Sequence, residues 1–99
     1  MQNKICYIAG PITGYENFNH HNFNMNAKFL EEDGFQVFNP ATLPSGLTEQ
    51  QYMAICLPMV MASGYIYVLS GYKESKGAMA ELALAEKLGL QVIYDQPEI

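Results

Sequence analysis

Residues 65–94 read YIYVLSGYKESKGAMAELALAEKLGLQVIY, and this stretch decides the fold. Tyr65–Leu69 is a short run rich in β-branched and aromatic residues, the pattern of a strand covered on both faces. Ser70–Ser75 is a loop. Lys76–Leu88 is dense in Ala, Leu and Glu, which favour helix, and Gly89 closes it as a C′ residue. Leu90–Tyr94 is again strand-like. Strand, helix, strand with short connections is a right-handed βαβ unit, and it sets the two strands parallel.

The same alternation extends towards the N-terminus. Lys4–Ala9 (KICYIA) is a near-continuous apolar run stopped by Gly10-Pro11. The loop Gly10–Asn19 leads to a helix over His20–Asp33, with Phe23, Ala27 and Leu30 on one face and Gly34 after it. Phe35–Phe38 is a second strand, ended by Asn39-Pro40. After the loop Ala41–Leu47, Thr48 and Gln51 have capping-box spacing for a helix running to about Ser63. Pro58 falls inside that helix and predicts a kink or two short helices. The tail Asp95–Ile99 is expected to fray.

The order βαβαβαβ predicts one α/β domain over residues 1–99. Its form is a flavodoxin-like, doubly wound parallel sheet of about four strands, ordered 2-1-3-4, with helices on both faces. Ligands bind such sheets outside the strand C-termini at the switch point. That rule selects the loops Gly10–Asn19, Asn39–Gly46 and Ser70–Gly77, and it puts Asn39 among the candidate binding residues.

Composition limits what the domain can do. At 99 residues, about half apolar, the core is thin, and a homodimer or higher homo-oligomer would bury more surface. The net charge is −5, and the five basic residues are scattered lysines with no Arg, so a hold on polymeric nucleic acid is not expected. The two cysteines, Cys6 and Cys56, have no metal or disulfide spacing and read as buried thiols. His20 and His21 are adjacent on a helix and diverge, so no metal is expected. Neither a secretory leader nor a membrane span is visible, which fits a soluble cytoplasmic protein.

Glu81 is the most informative residue. At about 100° per residue, Ala78, Leu82, Leu84, Ala85 and Leu88 form one apolar arc of the last helix, and Glu81 falls inside it. A carboxylate there needs a partner or a wet site. It is either a functional group near the strand C-termini or a boundary side chain that reaches solvent or bonds a Tyr. Ser75, Lys76, Gly77 and Ala78 open the same helix, where free N–H groups and the positive dipole end suit an anion. Ser75 as a plain N-cap explains the spacing equally well. Tyr7 with the loop Gly10, Pro11, Ile12, Thr13 and Gly14 could approach a ligand closely, but it is neither a GxGxxG nor a P-loop fingerprint. Tyr15, Phe18 and Phe23 could stack on a base. Met53, Met59, Met61 and Met79 suit core or subunit contacts. Asp33 and Glu74 read as solvated surface charges.

Tyr7-Ile8-Ala9-Gly10-Pro11 resembles the YxAGP opening of the nucleoside 2-deoxyribosyltransferase superfamily, and Gly77–Glu81 resembles its Gly-x-x-x-Glu helix. Gly71–Glu81 (GYKESKGAMAE) is closer still to the small phage and bacterial DUF4406 branch, and the likeness covers nearly the whole chain. The resemblance implies cleavage or exchange of the N-glycosidic bond of a (deoxy)nucleoside or its 5′-monophosphate, with no cofactor. It implies Glu81 as nucleophile, Tyr7 as its orienting residue, and Gly10–Gly14 and Ser75–Gly77 around sugar and phosphate. Relatives carry an Asp just before the third strand, where this chain has Ser63-Gly64; Asp95 is a conceivable substitute. The alternatives are a nucleotide-binding or sequestering protein with little catalysis, and a structural domain that keeps only the fold.

Overall fold

The computed structural model describes residues 3–95, so the expectation for the tail beyond Asp95 lies outside the described residues. Its four strands are β1 (Ile5–Ala9), β2 (Gln36–Phe38), β3 (Tyr65–Val68) and β4 (Gln91–Tyr94). They form one sheet in the order β2-β1-β3-β4, every pair parallel, as expected of a flavodoxin-like domain. The helices are α1 (His20–Glu32), α2 (Glu49–Ala62) and α3 (Lys76–Leu88), with short 3-10 turns at 16–19, 40–42 and 72–74. Several element ends fall one residue short of the sequence expectation, where ladder or helix bonding stops.

The period of two along β1 and β3 sorts the core into two layers. Cys6, Ile8, Tyr67 and Leu69 face Phe23, Ala27 and Leu30 of α1. Tyr7, Ala9, Ile66 and Val68 face Cys56 and Val60 of α2 and Ala78, Leu82 and Ala85 of α3. One helix therefore covers one face and two cover the other.

Of the two expectations for the middle helix, a kink or two short helices, the second is corrected. α2 runs as a single element through Pro58. The proline deprives the Ala54 carbonyl of its usual donor, but both residues are exposed, so water can satisfy that carbonyl. The expected Thr48–Gln51 capping box secures the start of the helix, at 3.1 and 2.9 Å. No helix among the described residues is long and apolar enough to cross a membrane.

Candidate functional site

Strand β1 delivers Tyr7 to the α2/α3 layer, 1% exposed, and α3 delivers Glu81, 7% exposed. The two meet where the register puts β1 beside β3. The Tyr7 hydroxyl donates to Glu81 Oε2 at 2.7 Å within the core. A cavity of about 430 Å³ opens over this pair. That volume lies in the range of small-molecule sites, roughly 300–1,000 Å³. It sits outside the C-terminal ends of β1 and β3, where the chain turns to opposite faces of the sheet, as the switch-point rule requires.

Burial pushes the Glu81 carboxyl up from its ordinary 4.5 to about 7, and the Tyr7 hydrogen bond opposes that rise. Burial, then the neighbouring carboxylate, drives the Tyr7 hydroxyl well above its ordinary value, so it remains a neutral donor. Glu81 thus changes charge near neutrality beside a fixed O–H. That is the range in which a carboxyl serves as nucleophile or as proton donor.

Of the predicted residues, Tyr7, Gly10, Pro11, Ile12, Ser75, Lys76, Gly77, Ala78 and Glu81 all line the cavity, joined by Tyr15 and Phe23. Asn39 and Gly14 do not. The Asn39 side chain turns into its own 3-10 turn, accepting from the Ala41 N–H at 3.0 Å and donating to Asn24 Oδ1 at 2.9 Å. Gly14 is exposed and serves the turn itself, at φ +85°. Phe18 lies outside the cavity and is 49% exposed. Gly10 is required by the fold rather than by a ligand, since a Cβ there would come within 2.8 Å of Leu69. Ser75 does cap α3, accepting from the Ala78 N–H at 3.1 Å, so its Oγ is already engaged.

Three positions bear on the acidic residues of the site. Gly64 precedes the N-terminal end of β3, its N–H donating to the Ile5 carbonyl, at the end of the strands opposite the cavity. A Cβ at that position would stand 2.4 Å from the Asn3 carbonyl oxygen. An Asp at 64 is thus excluded by packing and would not reach the site. Asp95 accepts from the Tyr67 hydroxyl at 3.2 Å, in contact with the α1 layer, and does not line the cavity. Glu74 is exposed, as expected of a surface charge, and it also lines the cavity.

The first turns of α2 were missed. Glu49, Tyr52, Met53 and Cys56 line the cavity and recur at i, i+3, i+4 and i+7, one stripe of a helix. The Cys56 thiol lies near the Tyr7 hydroxyl, and burial raises its pKa. The stripe was present in the sequence, but its apolar residues look like ordinary core.

A family model described as a domain of unknown function, DUF4406, matches residues 4–94. The chain belongs to the DUF4406 family. Nearly every described residue falls within the match, so both the Tyr7 loop and the Glu81 helix of this DUF4406 domain lie inside it. A search of curated proteins gives no match.

Proposed function

We propose that this protein cleaves or exchanges the N-glycosidic bond of a (deoxy)nucleoside or its 5′-monophosphate. The observation that carries the reading is the buried Glu81 carboxyl, held by the Tyr7 hydroxyl at 2.7 Å at the floor of a nucleoside-sized cavity. The likeness to the nucleoside 2-deoxyribosyltransferase superfamily supports it and supplies the reaction class.

In this reading Glu81 attacks C1′ of the sugar, and the C1′–N bond breaks with its electron pair leaving on the base nitrogen, which takes up a proton. Water or a second base then displaces the carboxylate from C1′. A carboxylate is suited to this because it stabilises oxocarbenium-like charge and leaves again as a weak base. Tyr7 holds one carboxylate oxygen and so directs the other at the sugar. The neighbouring aromatic side chains of Tyr15 and Tyr52 offer flat surfaces to a base.

The test is base release, followed by chromatography, from deoxynucleosides and their 5′-monophosphates. Wild type is expected to release base, with activity rising as pH passes through about 7 and Glu81 ionises. Glu81→Gln is expected to lose at least a hundredfold, the scale of removing a covalent nucleophile. Binding of the same compounds without any release would replace the enzyme by a nucleotide-binding protein.

A further inference from the structure

Three carboxyl side chains line the cavity, Glu49, Glu74 and Glu81, and a single ammonium, Lys76. Even with Glu81 protonated the lining is negative. The chain offers no Arg to correct this. The start of α3 is also a poorer anion site than its position suggests. Ser75 Oγ occupies the Ala78 N–H at 3.1 Å, which leaves the Lys76 and Gly77 N–H groups outside the intrahelical ladder. A helix terminus carries about half a positive charge, too little to offset two carboxylates. The carboxylates also come from different elements: Glu49 opens α2, and Glu74 ends the turn before α3. Both line the same cavity.

We infer that this cavity selects an uncharged nucleoside over its 5′-monophosphate, with Glu49 and Glu74 as the residues that turn the phosphate away. The inference rests on the proposed function and narrows its substrate class. A phosphate monoester is mostly doubly negative at neutral pH. Both carboxylates are solvent-exposed, so each repulsion is modest. Together they amount to a preference on the order of tenfold at low salt, weakening as ions screen them.

The experiment is titration calorimetry with matched pairs, each deoxynucleoside against its own 5′-monophosphate, at low and high ionic strength. Wild type is expected to bind the nucleoside roughly tenfold more tightly, with the ratio shrinking in high salt. In Glu49→Gln/Glu74→Gln the ratio should fall towards one, and in Glu74→Lys it should favour the monophosphate. Tighter monophosphate binding by wild type, or a ratio unmoved by salt and by both variants, overturns the inference and leaves base release standing. Failure of every pair to bind overturns the proposed function, and the inference falls with it.

Discussion

Glu81 is held where a carboxylate is expensive to keep. It is 7% exposed and bonded to a neutral hydroxyl. Burial raises its pKa from 4.5 to about 7. The folded chain therefore binds this proton more tightly than the unfolded one does. The associated stability is fully present below about pH 4.5 and is lost progressively as the pH rises to about 7, above which the loss is complete. A shift of this size corresponds to roughly 3 kcal/mol. Glu81→Gln keeps an acceptor for Tyr7 and never ionises, so it should match wild type in stability near pH 5. At pH 8 it should melt higher, on the order of 10 °C for a domain of this size. Thermal unfolding of both proteins at the two pH values checks this. Equal melting at pH 8 would mean that the carboxylate is well solvated, removing the physical reason to single it out. A side chain that weakens the fold at working pH fits one retained for chemistry.

At the scale of elements, two glycines that look alike in sequence behave differently. Gly64 immediately precedes β3, with the Asn3 carbonyl oxygen 2.4 Å from where its Cβ would be. The obstacle is backbone, so it cannot simply turn aside. At Gly77, inside α3, a Cβ would meet only Met53 Sδ at 3.7 Å and Ser75 Oγ at 3.9 Å, which is ordinary contact. Gly64→Ala should therefore destabilise by about 1–3 kcal/mol, as overpacking does. Gly77→Ala should stabilise by about 0.5–1 kcal/mol, because alanine loses less entropy in a helix. Urea unfolding of the two variants separates them, and destabilisation by Gly77→Ala would show that the helix start has a constraint beyond its packing. Gly77 faces the cavity, so the same variant should weaken ligand binding while strengthening the fold. Elements marked by period and punctuation, such as α3 with Gly89 after it, were legible in the sequence. The continuity of α2 was not, since Pro58 signals a break and only the exposure of Ala54 shows how it is tolerated. Nor was the exclusion of a side chain at 64, which depends on Asn3, 61 residues earlier in the chain.

For the whole molecule, the strand order followed from right-handed crossovers, and the switch point then located the cavity before any side chain was placed. Glu81 and Tyr7 were legible as separate anomalies, but their 2.7 Å pairing is a property of the assembled sheet. The outer surface carries a further consequence. Ala54, Ile55, Pro58, Met61 and Ala62 form the exposed side of α2, with Ile55 at 39% and Met61 at 62%, and Met79 of neighbouring α3 is 43% exposed. No charged residue occurs from Gln50 to Tyr72. On α1, by contrast, the exposed Met25 and Phe29 are interrupted by Lys28, Glu31 and Glu32, so that face is suited to water. In a chain of net charge −5, copies meet with least like-charge repulsion across an uncharged surface such as the Gln50–Ala62 part of α2. We therefore expect two copies to associate through α2, burying a side that a thin core leaves uncovered. Sedimentation equilibrium should then give twice the 11.1 kDa chain mass. Met61→Glu should return the protein to the chain mass with its fold intact by circular dichroism, since Met61 is exposed within one chain. A wild-type protein that sediments as a single chain at all concentrations would refute the association. A dimer indifferent to Met61→Glu would move the contact elsewhere, with the exposed Met25–Phe29 side of α1 the next to test.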